Sequence, residues 1–99
     1  MAFNVSLLPE ALTDYDEAIE WYEKERHGLG LRLYLEMEET IQQIAHHPMH
    51  YTFFVEHYRD AALKSFPYRI IFNIQAQEII VLAIFHTSMS ETEIYKRLK

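Results

Sequence analysis

A chain of 99 residues without cysteine has room for one core, which at this size buries roughly two-thirds of the unfolded surface, and it can hold neither a disulfide nor a thiolate metal site. Its net charge of −6 argues against nonspecific nucleic-acid binding. Residues 1–50 carry three Lys/Arg against ten Asp/Glu and residues 51–99 carry six against five, so an anionic partner is directed to the C-terminal half. The opening "MAFNVSLLPEAL" has no basic leader region and too short an apolar run for a membrane span. The expectation is one cytoplasmic domain over residues 1–99.

"FNVSLL" alternates apolar and polar through Phe3, Val5 and Leu7, the period of a half-buried strand. Pro9 ends it and suits the first turn of a helix. From Glu10 to about Arg26, Ala11, Tyr15, Ala18, Ile19 and Tyr22 fall on one helical stripe, while Asp14, Asp16, Glu17, Glu20 and Glu23 form an acidic outer face. "HGLG" holds both glycines of the chain and predicts a tight turn into a second helix, about Leu31 to Ala45, buried through Leu33, Met37, Ile41 and Ile44. "HHPMHY" ends that helix, because Pro48 biases its predecessor away from helical backbone.

The remainder reads as sheet. "YTFFVEH" and "AALKSF" are strand candidates joined near Tyr58, Arg59 and Asp60, and "YRIIFNI" and "EIIVLAIFH" form a hairpin across Gln75, Ala76 and Gln77. The near-continuous apolar run of the last strand predicts a central position. Ser90 with Glu93 three residues on has the spacing of a capping box, so a short C-terminal helix is expected. The fold class is α+β, β-α-α-β-β-β(-α), with two helices on one face of a small twisted, mainly antiparallel sheet and the other face partly open.

Several side chains carry candidate chemistry. His86 ends the last strand where the chain turns small and polar, and a histidine so placed more often bonds backbone through one ring nitrogen than acts as a base. His46, His47 and His50, with His57 downstream, have the look of a metal cluster, but the run crosses Pro48 and offers no i, i+4 helical pair, so a solvated loop is expected. Arg59, Lys64 and Arg69 read either as ordinary surface charge or as a modest polar patch on the open sheet face. Trp21, Tyr22 and Tyr15 read as helix-to-sheet core.

The joint order of "LLPEALTDYDEAIEWYE", "GLGLRLYLEMEETIQQIAHHP", "SFPYRIIFNI" and "IIVLAIFHTS" resembles the RelE/ParE toxin superfamily of bacterial toxin–antitoxin systems, over nearly the whole chain. A Phe-Pro-Tyr entering a strand, as in "SFPYRIIFNI", and a strand ending in His are typical of its ParE-like branch. The resemblance implies a type II (plasmid stabilisation) toxin, neutralised by a small antitoxin and acting by binding a protein such as DNA gyrase. No cofactor or metal is expected, the charge distribution leads to an expectation of weak or no direct nucleic-acid binding, no membrane association is expected, and a homodimer is left open. RelE-like members instead cleave mRNA in the ribosome, which requires proton transfer and cations around a phosphorane.

Carried across through the shared Tyr-Arg strand, RelE-type catalytic positions fall on Arg69 and Tyr95, with His86 as a further candidate. The expected basic pair falls on Asp60 and Ala62, and the arginine expected after the last strand, in either branch, on Met89. With three cations missing, each such donor worth roughly 3 kcal/mol of transition-state stabilisation, the reading leans to a protein that is not an enzyme. A nuclease using Arg69, His86 and Tyr95, or a toxin fold that has lost toxicity, are the alternatives. Arg59, Lys64, Tyr68, Arg69, His86 and Tyr95 are the expected contacts for a target or an antitoxin.

Overall fold

Residues 2–98 are described in the computed structural model. β1 (Asn4–Leu7) leads into α1 (Pro9–Glu25), α2 (Leu29–His46) and a single 3-10 turn at Pro48–His50, after which β2 (Phe53–Val55), β3 (Tyr58–Ala62), β4 (Tyr68–Gln75) and β5 (Glu78–His86) complete the sheet and α3 (Glu91–Leu98) closes the chain. The strand order is β1-β5-β4-β3-β2. β1 runs parallel to β5 and every other pairing is antiparallel, so the α+β, mainly antiparallel expectation holds. The parallel contact exists because α1 and α2 carry the chain back across one face before β5 is made.

α1 starts on Pro9, whose missing N–H costs nothing in a first helical turn. The two glycines behind it serve different ends. Gly28 adopts φ 94°, the left-handed conformation that reverses the chain between the helices. Gly30 lies inside α2, where an added Cβ would stand 2.9 Å from the Ile19 carbonyl oxygen and 2.9 Å from the Glu23 Cβ, so its lack of a side chain sets how closely the helices approach. Glu23 locks the turn by accepting the N–H of Gly28 at 3.0 Å and of Gly30 at 3.1 Å. The second helix thus begins within "HGLG" rather than after it.

The main core lies between this helix pair and one sheet face. Ala11, Tyr15, Leu33, Met37 and Ile44 meet Ile70, Phe72, Ile79, Val81 and Ile84 there. A second, smaller cluster occupies the opposite face, where Ile94 of α3 covers Ile71, Ala83 and Phe85. Ser90 caps α3 as the spacing predicts, accepting the Glu93 N–H on Oγ at 3.3 Å, while the Glu93 carboxylate accepts the Ser90 hydroxyl at 3.1 Å in place of the backbone N–H of a full capping box. α3 is tied to α1 around the edge of β5, because Arg97 donates to Asp14 Oδ2 at 2.7 Å and to Oδ1 at 3.3 Å.

Two sequence expectations fail here. Residues Tyr58, Arg59 and Asp60 are not a connection but the first part of β3, and the turn lies earlier, at Glu56 and His57, with Glu56 at φ 49°. "AALKSF" is correspondingly strand only at Ala61 and Ala62, because a strand to Phe66 would leave Pro67 alone to reverse the chain before β4. The reversal instead spans residues 63–67, closed by the Leu63 N–H on the Tyr68 carbonyl at 3.0 Å and anchored by Phe66 against Tyr22. Trp21 also departs from the core reading. Tyr15 is buried and Tyr22 packs on the core, but Trp21 points outward, 55% exposed.

Gly30→Ala should lower stability by about 1–3 kcal/mol, the usual effect of forcing a methyl into a filled contact, read as a lower urea midpoint with unchanged slope. The N–H groups of Gly28, then of Gly30, hold the Glu23 carboxyl below its usual range. A carboxyl depressed by folding stabilises above its unfolded pKa, and that contribution disappears as pH falls through the folded value. Thermal denaturation between neutral and acid pH should therefore show a larger drop in Tm for the parent than for Glu23→Gln.

Candidate functional site

The cross-strand register decides which candidate residues meet. Arg69 of β4 faces Phe85 of β5, whereas its neighbour Tyr68 faces His86. Adjacent residues in a strand point to opposite faces, and Phe85 belongs to the cluster under α3 while Tyr68 packs with the main core. Arg69 and His86 therefore lie on opposite faces of the sheet.

On the α3 face, Arg69 Nη1 pairs with Asp60 Oδ2 at 3.3 Å, and its guanidinium lies 5.2 Å from the Phe54 ring centre. Tyr95 of α3 is 44% exposed and shares a small cleft with Val55, Glu56, Tyr58 and Leu98, where the Tyr58 hydroxyl donates to the Leu98 carbonyl at 3.4 Å. This face offers aromatic rings and one neutralised cation–carboxylate pair, a surface suited to apolar and hydrogen-bonding contact.

On the α1 face, His86 and Tyr68 meet edge-on at 5.2 Å between ring centres. They line an open groove of about 270 Å³ with Asp14, Glu17, Trp21, Ile84 and Met89. The Ser88 N–H donates to His86 Nδ1 at 3.0 Å and the Ser88 hydroxyl lies 2.7 Å from the same nitrogen. A nitrogen that accepts a backbone N–H carries no proton, so neutral His86 has its hydrogen on Nε2. Burial raises the Tyr68 hydroxyl above the ordinary phenol range, reinforced by Tyr22. Asp14 is already paired with Arg97 and the Ile84 N–H, so Glu17 beside Trp21 is the groove carboxylate placed to meet a cationic side chain, and it disfavours a phosphate there.

The other cations stand apart. Arg59 lies at the far end of the sheet, stacked over Phe53 at 4.0 Å and donating to the Tyr51 carbonyl, and Lys64 is in the loop before β4. Arg59, Lys64 and Arg69 consequently do not form one patch. His47 and His50 stack at 4.8 Å between ring centres, and among the described residues no group of three or more His, Asp or Glu side chains could hold a metal ion. Among the described residues, no helix is long and apolar enough to cross a membrane. Sequence reading missed the groove at Trp21, since helical periodicity places Trp21 only one position from the buried stripe.

A three-helix, five-stranded mixed sheet with these two faces defines a toxin fold of the RelE/ParE type. It matches chains from the chromosomal ParDE toxin–antitoxin system of P. aeruginosa at TM-score 0.76, with 17% identity, 86% of this chain and 96% of that one, and from the RelBE2 toxin–antitoxin complex of Mycobacterium tuberculosis at TM-score 0.62, with 12% identity, 87% and 99%. A mutant of E. coli toxin RelE in the free state matches at TM-score 0.67, 14% identity and full coverage of both chains. No curated protein sequence matches. The model of the ParE toxin of the type II toxin–antitoxin system parDE matches residues 5–91, and this chain belongs to that family.

The tautomer of His86 gives a direct check of this geometry. Nitrogen chemical shifts of the neutral ring should report Nε2–H, and His86→Gln, which can keep an acceptor near Ser88, should shift stability by less than about 1 kcal/mol.

Proposed function

We propose that this ParE-family toxin acts by binding a protein target, DNA gyrase being the target that the family resemblance favours, and that a small antitoxin neutralises it, as in plasmid stabilisation systems. The observation that carries this reading is the separation of Arg69 from His86 by the sheet, together with the pairing of Arg69 to Asp60. RNA cleavage by 2′-hydroxyl attack needs a base, an acid and unpaired cations around one phosphorus. Here the base candidate and the cation occupy different faces, and Met89 packs against the second apolar cluster where a further arginine is expected. Protein recognition needs none of that convergence. The aromatic face of Phe54, Tyr58 and Tyr95 and the groove at Trp21 are surfaces of the kind that protein partners bury. Solved relatives described as toxin–antitoxin systems support the antitoxin.

Induced expression should inhibit growth, and the purified chain should impair gyrase supercoiling while leaving ribosome-bound mRNA intact. Arg69→Ala and His86→Gln should each change growth inhibition less than about threefold, whereas loss of a general acid or base from a nuclease costs on the order of a hundredfold or more. RNA affinity should be weak and should fall steeply with salt. Ribosome-dependent cleavage abolished by Arg69→Ala would establish the nuclease instead. An inert parent that becomes inhibitory on Met89→Arg would mark a toxin fold that has lost its toxicity.

A further inference from the structure

Trp21 is the one tryptophan of the chain, and its ring is 55% exposed. An indole left in water forgoes the burial that makes tryptophan a frequent anchor of protein interfaces. Its position is nevertheless set. It meets Tyr22 edge-on at 4.9 Å between ring centres, and Tyr22 in turn packs on Phe66 at 5.1 Å and Tyr68 at 6.2 Å. The exposed ring is thus braced by aromatic contacts that continue into the core, so a partner stacking on it meets a surface already in place.

The polar groups of the groove that Trp21 borders, about 270 Å³ in volume, are unequally engaged. Asp14 is held by Arg97 and the Ile84 N–H. Glu17, one helical turn before Trp21, is exposed and has no hydrogen bond or ion pair among the described residues, and the nearby cation Lys24 is held by Glu20 at 3.1 Å. The Tyr68 hydroxyl is likewise without a hydrogen bond among the described residues. Ser88 occupies Nδ1 of His86, so the neutral ring offers only its Nε2–H. An occupant that satisfies this set carries a cation for Glu17, a flat face for Trp21, a donor for Tyr68 and an acceptor for His86.

We propose that this groove receives an arginine side chain from the protein target, its guanidinium stacked on Trp21 and paired with Glu17, its methylene stem on Ala18 and Ile84, and a neighbouring backbone carbonyl taking the His86 Nε2–H. Arginine suits the site better than lysine, because a planar fork stacks on an indole and meets a carboxylate through two N–H groups, whereas an ammonium is compact and more strongly hydrated. A free organic cation fits poorly, since in an open groove it stays hydrated and leaves much of Trp21 in water, which a protein surface closing around the arginine excludes. Asp16, Glu17 and Glu20 make the exposed side of α1 acidic and steer a basic surface towards it. A groove of this volume holds one large side chain rather than a length of chain, which is the contact a folded target makes through a protruding residue, whereas a segment that folds on binding spreads over a wider surface. The inference rests on the reading of the protein as a target-binding toxin and names the chemistry of that contact.

The test uses the full-length chain and a capped Ala-Arg-Ala peptide, with counterparts carrying lysine or citrulline in the middle. The arginine peptide should shift the Trp21 indole N–H and the ring resonances of Tyr68 and His86, with a Kd on the order of a millimolar. Citrulline, which has the shape without the charge, should bind about fivefold more weakly, and lysine about threefold. Trp21→Ala and Glu17→Gln should each weaken the arginine peptide about fivefold. In cells, Trp21→Ala and Glu17→Lys should each lower growth inhibition about tenfold while the chain still co-purifies with its antitoxin, and Glu17→Lys, at an exposed position, carries the test if Trp21→Ala does not fold. Equal binding of the citrulline peptide, or shifts that lie outside the groove, would overturn the arginine seat. Full growth inhibition by the variants, or loss of antitoxin binding with inhibition kept, would overturn its assignment to the target. An inert parent defeats the toxin reading and the target with it, while the peptide titration still decides the arginine seat, so the two failures are told apart.

Discussion

The carboxylate of Asp14 holds the two faces of this protein together. β1 pairs with β5 only as far as Val81, so further along β5 the outer edge has no neighbouring strand to take its backbone groups. Asp14, projecting from α1, accepts the Ile84 N–H at 3.0 Å and in the same position receives Arg97 from α3. Arg97 reaches it across the Phe85 ring, 5.2 Å from its centre, and has Glu10 a further 3.7 Å away as a second acidic neighbour. The pairing with Asp14, opposed by partial burial, strengthens the hold of Arg97 on its proton. Hydrogen bonds between charged groups are among the stronger ones, and this set joins a helix on one face, a strand edge and a helix on the other face.

Both candidate surfaces follow from that tie. By drawing α3 over Ile71, Ala83 and Phe85, it puts Tyr95 beside Tyr58 and completes the aromatic face around Arg69. By fixing α1 against the end of β5, it opens the groove in which Trp21 and Glu17 face His86 and Tyr68. A second polar contact inside the helix pair works alongside it. Tyr15, nearly buried, donates to Glu38, and burial together with that carboxylate pushes its hydroxyl well above the phenol range. The pair aligns α2 on α1.

The separation of Arg69 from His86 has a local cause. β5 pairs Ala83 with Ile71 and Val81 with Phe72, so Leu82 is an extra residue in the strand. Such a bulge inverts the facing of everything beyond it. Ile79 and Val81 face α1 and α2 on one side of the bulge, Ile84 and His86 on the other, and Ala83 and Phe85 turn to α3. Were Leu82 to alternate regularly instead of bulging, His86 would fall on the face that holds Arg69. Because helices cover both faces at this point of β5, three consecutive residues, Ala83 to Phe85, are buried.

Much of this architecture is legible in local sequence because its causes are local. Helical spacing of Ala11, Tyr15 and Ala18 and of Leu33, Met37 and Ile44 defines the buried stripes, Pro9 and Pro48 punctuate them, and Ser90 with Glu93 announces α3. That His86 bonds backbone through one ring nitrogen is the ordinary expectation for a histidine at the end of a strand. The family too is carried by the order of such segments. What only the tertiary structure decided depends on contacts distant in sequence. The start of β3 at Tyr58 depends on where the chain finds room to reverse before β4, and the facing of His86 depends on one bulged residue in an unbroken apolar run. The exposure of Trp21 depends on how α1 sits on the sheet, and the role of Asp14 on Arg97, 83 positions away. A charge pattern specifies that such groups seek partners, but the cost of leaving an edge N–H or a guanidinium unpaired is settled only when packing brings distant segments together.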